Sequence, residues 1–281
     1  MPVYAIVLFI LSSIIILVFI AYLISNHMLT VNNYHVGNVP HSFNGFKICQ
    51  LSDIHAKRYG KHQKKFIAKI RAISPDIIVL TGDYEYNDKI NNTLDLANGI
   101  KRIAPIYYIT GNHEYRSGQI SNIHKAFDEL GFIRLDETFT TITRGTDSIT
   151  LAGLSDLLKY ADMSIKNDKY HGAKNEYLQQ LYKVDSATCN YKILLTHRPD
   201  FFEEYADTLF DLVLTGHAHG GLVRFPFIHG LIAPQQGFFP KYTAGFYKKN
   251  NTSMFVSRGC GGIPLRFFNR PEIAVITLMA D

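Results

Sequence analysis

Short apolar runs that end in Asp, His or Asn beside Gly recur along this chain, and that recurrence constrains its fold more than any other feature. Five such ends occur: Asp53-Ile54-His55, Gly82-Asp83, Gly111-Asn112-His113-Glu114, His197 in Thr196-His197-Arg198, and Gly216-His217-Ala218-His219-Gly220-Gly221. Open α/β sheets place ligands at the carboxyl ends of their strands, and glycine permits the sharp turns that let adjacent polar side chains converge. Taken singly, Asp53 is as good a helix cap as a ligand, and a lone His is more often a satisfied structural residue. The five together point to a metal centre of oxygen and imidazole donors.

The intervening sequence is that of βαβ units followed by an antiparallel section. Residues 47–51 read as a strand, and 62–73 as a helix with Phe66, Ile67, Ile70 and Ile73 on one face, stopped by Pro75 before a strand at 76–80. Helices are expected at 91–102 and 121–130, the latter closed by Gly131, with strands at 106–110 and 132–135. Alternating β-branched residues around Arg144-Gly145 predict a hairpin of 138–143 with 148–152. Strands at 191–195, 211–214, 253–256 and 273–277 complete a mixed α/β domain.

Residues 3–24 carry no charge, and about 20 helical residues cross a hydrocarbon core of about 30 Å. Ser12 and Ser13 can bond back to helix carbonyls, and Tyr4 and Tyr22 sit where rings favour the interface. With no basic leader and no small-residue cleavage site, the run reads as a retained single-pass anchor in the cell membrane rather than a signal peptide or a core helix. No Lys or Arg precedes it and the first to follow is Lys47, so its charges do not set its sidedness. The expected division is an anchor at 1–25, a polar connector at 26–45 and one catalytic domain at 46–281. Hydrophobic residues at 47% and charged residues at 19% exclude a disordered chain, and a net charge of +5 suits a phosphate-bearing ligand or an anionic lipid surface. Cys49, Cys189 and Cys260 lack any paired spacing and are expected to be small buried residues.

The ordered series Asp53/His55, Asp83, Asn112-His113, His197, His217/His219 resembles the calcineurin-like metallophosphoesterase family from about Lys47 to the end of the chain. The anchor and the tail Val256-Ser257-Arg258-Gly259 are similar to a bacterial membrane-associated branch, which includes enzymes hydrolysing UDP-diacylglucosamine. The resemblance implies two mixed β-sheets sandwiched between helices, preceded here by one transmembrane helix. It implies two divalent metal ions, Mn²⁺ favoured over Fe²⁺, Zn²⁺ or Co²⁺. Asp53, His55 and His219 would hold one, Asn112, His197 and His217 the other, and Asp83 would bridge them. Two such ions acidify a bridging water into the hydroxide nucleophile and draw charge from the phosphoryl oxygens. His113, beside Asn112, would protonate the leaving group or stabilise the transition state.

The chain departs from the family pattern three residues after Asp83, where Tyr86 stands in place of a carboxylate that orients the catalytic His; Glu85 or Asp88 is expected to substitute. Glu114 is expected to support the site or lie at the surface rather than bind metal. Arg198 and Arg258, with Arg224 and Arg266 as further candidates, could bind phosphate oxygens. Phe238-Phe239 could enter a membrane interface or pack inside a loop. The expected function is hydrolysis of a phosphodiester or phosphoanhydride, on a phosphorylated and membrane-borne, nucleotide-linked lipid substrate. The alternatives are a phosphomonoesterase or phosphoprotein phosphatase, or a non-catalytic membrane scaffold. No basic run interleaves with aromatic residues, so no nucleic acid is expected, and no obligate protein partner is evident.

Overall fold

The computed structural model describes residues 2–280 apart from 88, 162–170, 187–190, 226, 227 and 262–264. Its helices are α1 (Val3–His27), α2 (Lys64–Ile73), α3 (Asn91–Ile100), α4 (Asn112–Arg116), α5 (Ile120–Glu129), α6 (His171–Asp185) and α7 (Phe202–Tyr205). The strands of the first half are β1 (Thr30–Val36), β2 (Lys47–Leu51), β3 (Ile77–Thr81), β4 (Ile106–Ile109), β5 (Ile133–Arg134), β6 (Thr138–Arg144) and β7 (Asp147–Gly153). Those of the second are β8 (Lys192–Leu195), β9 (Leu212–Thr215), β10 (Arg224–Phe225), β11 (Ile228–Gly230), β12 (Ile232–Ala233), β13 (Gly237–Phe238), β14 (Gly245–Lys249), β15 (Thr252–Val256) and β16 (Glu272–Leu278).

Twelve of these strands form two six-stranded mixed sheets, ordered β1-β16-β2-β3-β4-β5 and β14-β15-β9-β8-β7-β6. The strands after which the motifs fall, β2, β3 and β4 in one sheet and β8 and β9 in the other, run parallel within each sheet, so their carboxyl ends share an edge. β3, β8 and β9 are buried on both faces, which is why they are mainly aliphatic. The inner faces pack on each other through Ile48, Ile77, Val79 and Ile109 on one side and Leu151, Ile193, Leu195, Leu214 and Phe255 on the other. Phe66 and Ile70 of α2 and Ile123 and Phe127 of α5 cover the outer face of the first sheet. Tyr177 and Leu181 of α6 and Phe202 and Tyr205 of α7 cover that of the second. Helix, sheet, sheet, helix is the resulting layering, as expected.

Residues 26–45 are not simply a connector. Seven of them form β1, which pairs in parallel with β16 from Thr30↔Glu272 to Val36↔Leu278. Polar residues are tolerated because β1 is an edge strand, and because Asn32 Nδ2 and the Tyr34 hydroxyl donate to the buried carboxylate of Glu272, at 2.6 and 2.9 Å. The first sheet therefore begins at Thr30 and not at residue 46.

Helix α1 is the one helix among the described residues that is long and apolar enough to cross a membrane, with mean hydropathy 3.1. Its apolar side chains project away from the protein, and Ser12 and Ser13 donate to the carbonyls of Leu8 and Phe9 as expected. Only Ser25 and Asn26 at its end are buried against the domain.

Candidate metal centre

Five strand ends deliver the seven residues that the motifs single out to one place. Asp53, His55, Asp83, His217 and His219 all have φ between 47° and 65°, in the left-handed region that non-glycine residues seldom occupy. Such turns aim alternate side chains to the same side, and strain gathered so tightly marks a site the fold is built to hold. The close approach of neighbouring turns demands glycine. A Cβ on Gly82 would lie 2.6 Å from the Gly111 backbone, and one on Gly216 would lie 2.5 Å from Asp53 Oδ2.

Two groups of donors result. Asp53, His55, Asp83 and His219 form one and Asp83, His197 and His217 the other, each with donor atoms within 4.8 Å of one another and every residue buried. Asp83 belongs to both. Its Oδ2 lies 3.7 Å from His55 Nε2 and 3.3 Å from His197 Nε2, while Asp53 Oδ1 lies 3.4 Å from His219 Nε2.

The rings are held by their outer nitrogens. His197 Nδ1 lies 2.7 Å from the Thr81 carbonyl oxygen, His55 Nδ1 3.3 Å from that of Glu85, and His217 Nε2 2.7 Å from Gln235 Oε1. Each contact fixes the ring so that its other nitrogen turns inward. Inward nitrogens consequently face each other, His55 Nε2 and His219 Nε2 at 3.3 Å and His197 Nε2 and His217 Nδ1 at 3.1 Å. Asn112 is buried beside this group with its Oδ1 lacking a hydrogen-bond partner.

Burial pushes His55, His217 and His219 down, so they are neutral, the form that ligates a metal. Burial likewise pushes Asp53 up. For Asp83 burial acts the same way, but the imidazoles of His197, His55 and His113 outweigh it and hold the carboxyl well below its usual range. Burial alone would push His197 down, yet the carboxylates of Asp83 and Asp53 push it up to about 10. Two buried carboxylates thus demand positive charge between them. Convergent lone pairs, a free amide oxygen and a set without thiolate all fit a pair of borderline divalent cations that share Asp83.

His113 stands at the mouth of this group, about a quarter exposed, with Nε2 3.9 Å from Asp83 Oδ2 and Nδ1 3.7 Å from Glu85 Oε1. Of the two expected orienting carboxylates, Glu85 is the one beside the ring, and Asp88 lies outside the described residues. Tyr86, in the position of the usual carboxylate, stacks on His113 at 6.2 Å. Glu114 is fully buried, and its carboxylate accepts the backbone N–H groups of Asp83, Tyr84 and Gly111, tying two of the motif turns together. A cavity of about 340 Å³ opens beside His55, lined by Tyr86, Lys89, Asn91 and Asn92.

Arg198 differs from its expected role. It is 2% exposed and its guanidinium pairs with Asp156 through Nε at 2.7 Å and Nη2 at 2.9 Å, while Nη1 donates to Gln235. It therefore positions Gln235, and through it His217, instead of facing open space. Gln235 has no motif of its own; the positive φ it adopts in the loop before β13 gives no warning in the sequence. Arg224 donates to the Gly220 carbonyl and Thr243, Arg266 to the Arg258 carbonyl, and Arg258 lines a cavity at the foot of α1. Phe238 and Phe239 are more than two thirds exposed rather than packed inside their loop. Cys49 and Cys260 are buried thiols as expected, and Cys189 lies outside the described residues.

The profile of the family described as Calcineurin-like phosphoesterase matches residues 46–221. The chain is 31% identical over 267 residues to "Uncharacterized metallophosphoesterase YkuE" of Bacillus subtilis (strain 168), across 90% of this chain and 86% of that protein. It is 28% identical to "Phosphodiesterase YaeI" of Escherichia coli (strain K12), across 83% and 82% of the two chains. It is 23% identical to "UDP-2,3-diacylglucosamine pyrophosphatase LpxG" of Chlamydia trachomatis serovar D, across 87% and 88%.

Proposed function

Because this chain belongs to the calcineurin-like phosphoesterase family, we propose that it hydrolyses a phosphodiester or phosphoanhydride at a membrane surface, with two divalent metal ions, Mn²⁺ favoured. One observation carries the reading: a single buried carboxylate, Asp83, shared by two groups of imidazole and carboxylate donors at adjoining strand ends. Asp53, His55 and His219 would hold one ion, Asn112, His197 and His217 the other, and Asp83 would serve both. When bound, such a pair makes a water between them nucleophilic at neutral pH and draws charge from the phosphoryl oxygens.

The chain's own residues do the rest. Asp83 Oδ1 accepts the His113 backbone N–H at 2.9 Å, which locks the start of α4 against the donor group. The His113 ring, reachable from solvent and flanked by Glu85, holds the proton that the departing oxygen takes up. The cavity beside His55 receives the leaving group. An anchor on the same chain and a relative named as a pyrophosphatase of a lipid-linked sugar nucleotide support a nucleotide-linked lipid as substrate.

The test is hydrolysis of bis-p-nitrophenyl phosphate against p-nitrophenyl phosphate by the full chain in detergent with Mn²⁺. Diester cleavage is expected to exceed monoester cleavage and to vanish with Asp83→Ala. His113→Ala is expected to keep both metals while kcat falls about 10²- to 10⁴-fold. Preference for the monoester would move the reading to a phosphatase, and metal binding without any hydrolysis would contradict it.

A further inference from the structure

A cavity bearing positive charge lies where α1 meets the domain. It measures about 500 Å³ and is lined by Ala21, Ile24 and Ser25 of α1, by Thr30 and Asn32 of β1, and by Arg258, Phe268 and Arg270. Ala21, Ile24 and Ser25 are spaced three and four apart and therefore share one helix face. The junction is fixed: Asn26 Nδ2 donates to the Arg266 carbonyl at 2.8 Å, and Asn26 Oδ1 accepts the Arg266 N–H at 3.1 Å, both bonds buried.

Depth says what this cavity meets. About 20 residues of helix fill the hydrocarbon core, so with α1 starting at Val3 the core ends near Tyr22, and Ser25 stands at the level of the lipid headgroups. Ala21, one turn earlier, stands at the end of the hydrocarbon core, and Ile24 beside Ser25 at the boundary. Leu265 and Phe268 in the same loop as Arg270 are both more than half exposed, as suits side chains that enter the interface. The two arginines meet phosphate depth from the domain side.

Their charge is not fully answered by the protein. Glu272 Oε2 lies 3.9 Å from Arg258 Nε, too far for a hydrogen bond, and it already accepts from Asn32 and Tyr34, so Arg258 Nε is buried without a partner. Arg270 is exposed and pairs with no carboxylate among the described residues. Two guanidinium groups over an apolar helix wall match an anionic phosphate with hydrocarbon attached.

We propose that this cavity binds the phosphate headgroup of an anionic membrane lipid, held by Arg258 and Arg270 with its acyl chain along α1. The site rests on α1 spanning the bilayer and is independent of the hydrolytic reading. It fixes how the domain stands on the membrane, because the lipid bridges the anchor and the loop that carries Arg270.

The full chain in a neutral detergent is titrated with phosphatidylglycerol, phosphatidylcholine or inorganic phosphate, and bound lipid is counted by native mass spectrometry. One phosphatidylglycerol is expected to be retained in preference to phosphatidylcholine. Retention should weaken about tenfold or more in Arg258→Gln/Arg270→Gln, which removes both charged donors to the phosphate. Ala21→Trp, which fills the cavity from the α1 side, should abolish retention. Millimolar inorganic phosphate should not displace the lipid. Unchanged retention in both variants, equal retention of phosphatidylcholine, or displacement by inorganic phosphate would overturn the site. Alkaline carbonate extraction of the source membranes separates the premises: a chain that is released refutes the anchor, while an integrated chain that retains no lipid refutes the cavity.

Discussion

At the scale of single residues, the metal centre is a problem of buried charge. Asp53 and Asp83 are wholly inside, and His197 between them is pushed up to about 10 by their carboxylates once burial has been overcome, so without metal it carries a proton at neutral pH. A cation must displace that proton. Metal uptake at pH 7 should therefore release protons, and the affinity for Mn²⁺ should rise as the pH is raised toward 10, observable as a buffer-dependent heat in titration calorimetry. Uptake with no proton release would place the metals elsewhere. The same site shows what sequence can and cannot reveal. Asp53, His55, Asp83, Asn112, His113, His197, His217 and His219 are legible because each follows the end of a short apolar run, and several stand beside glycine, a pattern that survives in one dimension. Gln235 and the carbonyls of Thr81 and Glu85, which fix the rings of His217, His197 and His55, carry no such mark because any residue can present a carbonyl. Arg198 illustrates the opposite error: an arginine next to a ligand looks available for phosphate until Asp156, distant in sequence, is found on its guanidinium.

At the scale of elements, apolar strands are the easiest to read and polar edge strands the hardest. β3, β8 and β9 are mainly aliphatic runs, β2 is broken only by Gln50, and all four fall where they are expected. β1 carries Asn32, Asn33 and His35, so nothing in its composition marks a strand; its stability comes from full pairing with β16 and from the carboxylate of Glu272 behind it. α6 has no counterpart in the sequence reading, although Ala173, Tyr177, Leu181 and Val184 are buried at helical spacing, because that stripe is narrow and lies in polar surroundings. If Glu272 depends on β1, then Asn32→Ala and Tyr34→Phe should each lower the stability of the full chain by about 1–3 kcal/mol in urea, the cost of leaving a buried carboxylate short of a donor. The phenylalanine keeps the ring contact with Phe255, so that variant isolates the hydroxyl. No loss in either would make β1 a passive edge.

At the scale of the whole molecule, two sheets bring the carboxyl ends of their parallel strands to one edge, and neither sheet alone holds a complete donor set. Asp53, Asp83 and Asn112 follow β2, β3 and β4 of the first sheet, while His197, His217 and His219 follow β8 and β9 of the second. The seam between the sheets is therefore the site, and packing of Ile48, Val79, Leu195 and Leu214 across it sets the spacing of the metals. Anomalous scattering at the manganese edge from crystals of the Mn²⁺-loaded full chain tests this most directly. Two peaks about 3.5–4 Å apart, with Asp83 between them, are expected. A single peak, or two peaks of which neither touches Asp83, would contradict a shared-carboxylate dinuclear centre.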